Sequence, residues 1–267
     1  MMMRRSIKQN KARSGLGSGL TVLEFLAAND QGITLTEMAL ALAMSKSNVH
    51  SVLRILLARN YVTRSDDGVF RLGIAAWQIG AAAPQAEVGS VAEPAMNELV
   101  RSVSEGAILG MLDGFDVVYT KLVESSQAVR VHAQLGDRIP AHCTSTGLAL
   151  LAGLSDDDVK AIMPARLEKV TPETIATAGL LLQEIQKVRV RGVAVNCGGW
   201  REDVAGIALG VHDKRGMVVA ALCVAAPRHR VNKAWIGRVS VALSKAVAQI
   251  EQDLGGSKQG APYRRAR

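Results

Sequence analysis

The sequence predicts an α+β protein in two parts, and three observations carry that reading. Between Ile33 and Gly73, two short amphipathic helical patterns lead into a hairpin signal. From Val91 onward, strand-like and helix-like segments alternate in the manner of a mainly antiparallel sheet flanked by helices. The stretch between them, 74–90, is small and apolar and reads as a connecting helix.

The chain has 267 residues, 48% of them hydrophobic and 21% charged, enough for two cores. Aromatic residues make up only 3%, so those cores must be built from aliphatic side chains and Ala. The net charge of +8 is unevenly spread: residues 1–80 hold ten Lys/Arg against five Asp/Glu, and residues 81–267 hold twenty-two against nineteen. Positive charge is therefore densest in the first part, as neutralising phosphates requires. Cys143, Cys197 and Cys223 are odd in number and lack paired spacing, which argues against a disulfide framework and for a reducing cytoplasm. No signal peptide and no apolar run of membrane-spanning length is evident, so a soluble protein with no membrane partner is expected.

Met1 to Ser14 carries Arg4, Arg5, Lys8, Lys11 and Arg13 without an acid. Such a segment cannot bury enough surface to order itself. It reads as a disordered basic arm, open to two roles: tracking phosphates or simply solubilising the start. Gly17 to Ala28 places Leu20, Leu23, Leu26 and Ala27 at helical spacing and predicts the first helix. Thr34 with Glu37 has the form of a capping box, opening a short helix through Met38, Ala39 and Leu42. Ala43-Met44 is the turn, and Ser45 caps the next helix. That helix runs to Arg59 with Val49, Val52, Leu53, Leu56 and Leu57 on one face. The opposite face gathers Lys46, Ser47, His50, Ser51 and Arg54, with Asn48 at its edge; all can donate hydrogen bonds and none is acidic. Tyr61 to Leu72 folds back at Asp67-Gly68 as a hairpin bearing Arg64 and Arg71. Helix, turn, polar-faced helix and hairpin describe a winged helix-turn-helix over 15–73, whose second helix is shaped for a major groove.

Pro84 is expected to break the linker helix, and Pro94 to sit near the start of a helix reaching Ser104. A helix apolar all round, as at 74–83, needs a partner, which a second subunit would supply. Strands are expected at Ala107–Leu112 and Val117–Val123 around Asp113-Gly114, and at Val129–Ala133. A glycine- and hydroxyl-rich loop from Gly136 to Gly147 then runs into a helix at Leu148–Ala152. Helices at Asp156–Met163 and Leu180–Arg191 follow, then strands at Val193–Asn196, Val204–His212 and Met217–Ala225, and a helix from Asn232 to Leu254. Residues 256–267 read as a disordered tail.

These segments resemble the IclR-type bacterial transcriptional regulators. In the first part the likeness rests on Leu35–Ala39, Ser45–His50, Leu53–Asn60 and Phe70–Gly73. In the second it rests on Gly136–Pro140 with His142–Ala149, on Arg191–Asn196, and on Ile207–Asp213 with Gly216 and Ala220–Pro227. The resemblance implies a GAF-like effector-binding domain over 91–255, operator DNA and a small-molecule effector as partners, and a homodimer or dimer of dimers. It also implies control of a catabolic operon, with no cofactor.

The loop ending at Thr144-Ser145-Thr146-Gly147 meets a helix N-terminus, which either binds an anion or is merely capped. By resemblance, effector contacts fall on Ser145, Thr146, Asn196, Gly206, Cys223 and Ala225. Gly199, Gly210 and Leu148 stand where many members carry Glu, Pro and Lys. These departures imply a roomier, less polar pocket, suited to an amphipathic carboxylate or aromatic acid. Trp200 either closes over such a ligand or packs. Alternatives from the same residues are a thiol- or metal-responsive sensor using Cys143, Cys197 and Cys223, and an enzyme whose nucleophile and base are drawn from His142-Cys143 with His132, or from Cys223 with His212, although neighbours such as 142 and 143 are expected to point apart. No paired metal-ligand spacing and no glycine-rich nucleotide motif occurs.

Overall fold

The computed structural model describes residues 15–29, 31–82 and 84–255. The expected basic arm and C-terminal tail lie outside those residues. The chain divides into two compact units between Ala86 and Glu87.

In the first unit, α1 (Gly15–Ala27), α2 (Leu35–Ala41) and α3 (Lys46–Ala58) share one core. Val22, Phe25 and Leu26 meet Met38, Ala39, Val49, Val52, Leu53, Leu56, Val62 and Phe70 there. Each such aliphatic burial contributes roughly 1.5–3 kcal/mol, and little else can stabilise a unit this small. The capping box is complete: Thr34 N–H donates to the Glu37 carboxylate at 3.0 Å, and Glu37 N–H donates to Thr34 Oγ1 at 3.4 Å. Ser45 caps α3 by accepting from Asn48 N–H. The turn between α2 and α3 puts Ala43 at φ 50°, a left-handed conformation that its Cβ makes costly. β2 (Val62–Arg64) and β3 (Val69–Leu72) form the hairpin, and a two-residue strand β1 (Ile33–Thr34), absent from the sequence reading, pairs with β3.

α4 (Ile74–Ala81) ends just before Pro84, as expected, and α5 (Pro84–Val103) corrects the reading of Pro94. Pro84 opens the helix, where its missing N–H belongs to the unpaired first turn, and Pro94 is tolerated inside it at the loss of one rung.

The second unit is a six-stranded antiparallel sheet in the order β6-β5-β4-β9-β8-β7. Its strands are β4 (Gly106–Asp113), β5 (Asp116–Val123), β6 (Arg138–Pro140), β7 (Ala194–Cys197), β8 (Val204–His212) and β9 (Val218–Pro227). Strand β6 falls in what reads from sequence as loop. The strand expected at Val129–Ala133 does not form: that stretch has no ladder partner, and Val131 and Ala133 instead pack side-on against the core. One sheet face is covered by α5 and α9 (Lys233–Asp253), whose Trp235, Val239, Leu243, Ala246, Val247 and Ile250 repeat at helical spacing. The other is covered by α6 (Ser145–Ala152), α7 (Asp156–Ile162) and α8 (Ala178–Arg191). Arg189 of α8 ties these helices together, donating to the Ala152 and Leu154 carbonyls and pairing with Asp156.

α6 is buried from Ser145 to Leu151. It reaches this depth because Gly147 lies directly on the backbone of Ala141, where any Cβ would overlap the Ala141 carbonyl. Gly147→Ala should therefore destabilise the second unit by roughly 3 kcal/mol. Urea unfolding would check this through a lower midpoint at unchanged slope.

Candidate functional site

On α3, Lys46, Ser47, Asn48, His50, Ser51 and Arg54 are all exposed on the side away from the core. Ile55, 56% exposed, extends that surface with an apolar group that charge patterning does not flag. On the wing, the Arg64 guanidinium lies 5.5 Å from the centroid of Phe70. Arg71 Nη2 donates to the Gln31 carbonyl at 2.8 Å, tying β3 to the turn before β1. Both arginines are exposed and keep further donors for solvent. The wing tip is acidic. Hydrogen bonds from Ser65 and from the Val69 N–H hold the Asp67 carboxyl below its ordinary range, so it stays ionised.

In the second unit the strand register brings most of the expected effector residues together. Asn196 pairs with Gly206, Gly206 with Ala225, and Ala225 with Gly106, forming one row across four strands. A neighbouring row on the same face runs through Ala194, Ala208, Cys223, Ile108 and Leu122. α6 lies over both, with Ser145 Oγ 3.4 Å from Cys223 Sγ. Burial pushes the Cys223 thiol up, against weaker opposing contacts from Ser145 and Thr146. Thr146 Oγ1 is buried and, beyond the adjacent thiol, has no hydrogen-bond partner among the described residues. Tyr119, also buried and raised by desolvation, lies near Cys223 and completes this polar cluster. As one of several polar residues in β5, with Thr120 and Lys121 next to it, it carried no sequence signal.

The roomy pocket expected from small residues is absent. The space beside Gly206 is taken by Ser145, since a Cβ there would lie 2.7 Å from its Oγ and 3.3 Å from Cys223 Sγ. What is left is a cavity of about 20 Å³ lined by Ile108, Leu122, Val131, Ala133 and Ala225 among others, room for about one water. Asn196 does not reach it: its Oδ1 accepts the Gly199 N–H at 2.9 Å and shapes the 198–199 turn. Thr171 and Thr174, also missed from sequence, hold the carbonyls of Gly198 and Gly199 at 2.7 Å each. Trp200, partly buried, packs against the same core.

Two family models match this chain. One, described as the IclR helix-turn-helix domain, covers residues 16–66; the other, bacterial transcriptional regulator IclR C-terminal, covers residues 80–252. The chain belongs to the IclR family of bacterial transcriptional regulators. BhcR of Paracoccus denitrificans is 30% identical over 88% of this chain and 85% of its own length. XynR of Escherichia coli is 26% identical over 88% of this chain and 95% of its own. A solved IclR homolog from Microbacterium hydrocarbonoxydans, complexed with 4-hydroxybenzoate, is 25% identical with a TM-score of 0.80, over 91% of this chain and 100% of that one.

IclR relatives are named as regulators and repressors, and the same identity applies here: the chain is a DNA-binding regulator and not an enzyme. The pairing of His142 with Cys143 illustrates why contact alone is not catalysis. Contrary to expectation the 3₁₀ turn Ala141–Cys143 brings the two together, with His142 Nε2 3.4 Å from Cys143 Sγ. The same Nε2 is 3.0 Å from the Glu168 carbonyl, and donating to it places the proton on Nε2, leaving no lone pair there to accept the thiol proton. Phe115, itself only partly buried, stacks on the ring at 5.7 Å, and His142 and Cys143 are buried. Among the described residues no group of three His, Cys, Asp or Glu side chains can hold a metal ion, and no helix is long and apolar enough to cross a membrane.

The thiol environments make a testable statement. Cys197 is exposed whereas Cys143 and Cys223 are buried. Titration with a chromogenic disulfide at neutral pH should show one fast thiol, with the other two reacting only on unfolding. Fast reaction of Cys223 in the folded protein would restore the thiol-sensor alternative.

Proposed function

We propose that this regulator reads operator DNA as a homodimer, or dimer of dimers, through α3. Ser47, Asn48, His50 and Ser51 are short enough for base edges, while Lys46 and Arg54 reach phosphates or guanine. Ile55 suits a thymine methyl. Arg64 supplies the wing's cation, because phosphate would repel a tip that carries the ionised Asp67. The dimer reading rests on α4, whose Ile74, Trp77 and Ile79 are 59%, 67% and 61% exposed in the single chain. A two-fold dimer should protect two half-sites about 10 base pairs apart, or multiples of that spacing. His50→Ala or Ser51→Ala should alter preference at a matching position in each half-site by about 1–3 kcal/mol per lost contact. Footprinting that finds a single undivided site, or unchanged preference in both variants, would refute the assignment.

The effector we propose is a small carboxylate with a compact apolar or aromatic body. The observation that carries it is the buried hydroxyl and thiol cluster of Ser145, Thr146, Tyr119 and Cys223, set beside an apolar cavity on the same sheet face. Ile108, which lines the cavity, is the register partner of Cys223. Thr146 Oγ1 awaits a partner that a ligand oxygen would supply. The homolog solved with 4-hydroxybenzoate supports this size and chemistry. A cavity of about 20 Å³ cannot hold such a molecule, so the segment 124–137 that roofs it with Val131 and Ala133 must move outward on binding. Ala225→Leu should fill the cavity and abolish binding of 4-hydroxybenzoate while operator binding survives. Calorimetry on a variant with a retained thermal transition would check this, and undiminished affinity would place the effector elsewhere.

A further inference from the structure

The effector face and the DNA-reading surface leave one large concavity unused. It lies in the second unit, where the end of α5 and the start of β4 meet the 3₁₀ turn Arg228–Arg230 and the first turns of α9. Its volume is about 560 Å³, within the range of small-molecule sites, and its walls include Ser104, Glu105, Gln127, His229, Arg230 and Arg238.

The geometry points to a second ligand site in this cleft, one that takes a small oxyanion, a carboxylate- or phosphate-bearing metabolite. Glu105 is only 2% exposed, a position at which a carboxylate is seldom found unless paired. Arg230 supplies the pairing through one nitrogen, Nη1, which lies 3.0 and 3.4 Å from the two carboxylate oxygens. The buried acid thereby fixes a guanidinium at the cleft wall, with Nε and Nη2 left for a second acceptor. Arg238 is exposed on α9 one turn beyond Trp235 and makes no ion pair among the described residues. With His229 beside them, the cleft holds two arginines against one carboxylate, and that balance selects an anion.

The backbone adds a further sign. Ser104 has φ 60°, a left-handed conformation unfavourable for a residue with a side chain. It is held there by donors to its carbonyl, Ser125 Oγ at 2.8 Å and Gln127 Nε2 at 3.0 Å. This strained corner keeps Glu105 turned inward and places Gln127 in the wall of the cleft.

The test uses the full-length protein with inorganic phosphate and, separately, malonate as probes, titrated by calorimetry at constant ionic strength. One saturable site per chain is expected for at least one probe, and which of them binds distinguishes a phosphate from a carboxylate ligand. Arg238→Glu, an exposed position at which the fold should survive, is expected to weaken binding about tenfold or more. Retention of the native thermal transition serves as its control. The proposal is overturned if neither probe gives saturable binding, if sodium chloride gives the same heats, or if the folded Arg238→Glu variant binds as tightly as the native protein.

Discussion

Helix α6 rests on the six-stranded sheet without the spacing that side chains normally impose, and the second unit is arranged around that contact. Gly147 lets the helix touch the Ala141 turn, and Gly206 lets Ser145 occupy space that belongs to a sheet side chain. With every residue from Ser145 to Leu151 buried, the helix cannot shift without carrying neighbours on all sides. The same closeness brings two hydroxyls against the Cys223 thiol, so the polar cluster on this sheet face is a by-product of tight packing. This face is rigid ground, and over its small cavity lies the segment 124–137.

That segment, 124–137, has the opposite character. It forms no ladder of its own and is fastened near its ends, by Gln127 to the Ser104 carbonyl and by Gly136 N–H to the Tyr119 carbonyl at 2.8 Å. Between those ties, contact with the core comes from Val131 and Ala133, two small apolar groups. A rigid floor and a lightly held roof are the two components that a binding site needs if occupancy is to change shape. In the first unit, by contrast, capping and a single aliphatic core hold α3 in a fixed position.

Much was legible in the chain itself, because local rules decide it. The capping box at Thr34, the cap at Ser45, the two faces of α3 and the Asp-Gly turns are settled by neighbouring residues, so spacing alone foretold them. So were β8 and α9, whose long periodic patterns leave little choice. What failed was equally systematic. Val129–Ala133 alternates like a strand but finds no partner, and strand formation requires a second chain segment that no local pattern announces. Pro94 reads as lying near a helix start, yet α5 already begins at Pro84, where a missing N–H is harmless, and runs on through Pro94.

The sequence by itself determined the family, the two-part architecture and the exposed polar face of α3, since each depends on residue types at short, regular spacing. Only the tertiary structure decided the shape of the sheet face beneath α6. Whether Gly206 means empty space or a closely seated Ser145 depends on a helix sixty residues earlier in the chain. Whether Asn196 meets a ligand or braces a turn depends on Gly199 and the two threonines that hold that loop. Small residues record only that something comes close, and packing between distant segments determines what it is.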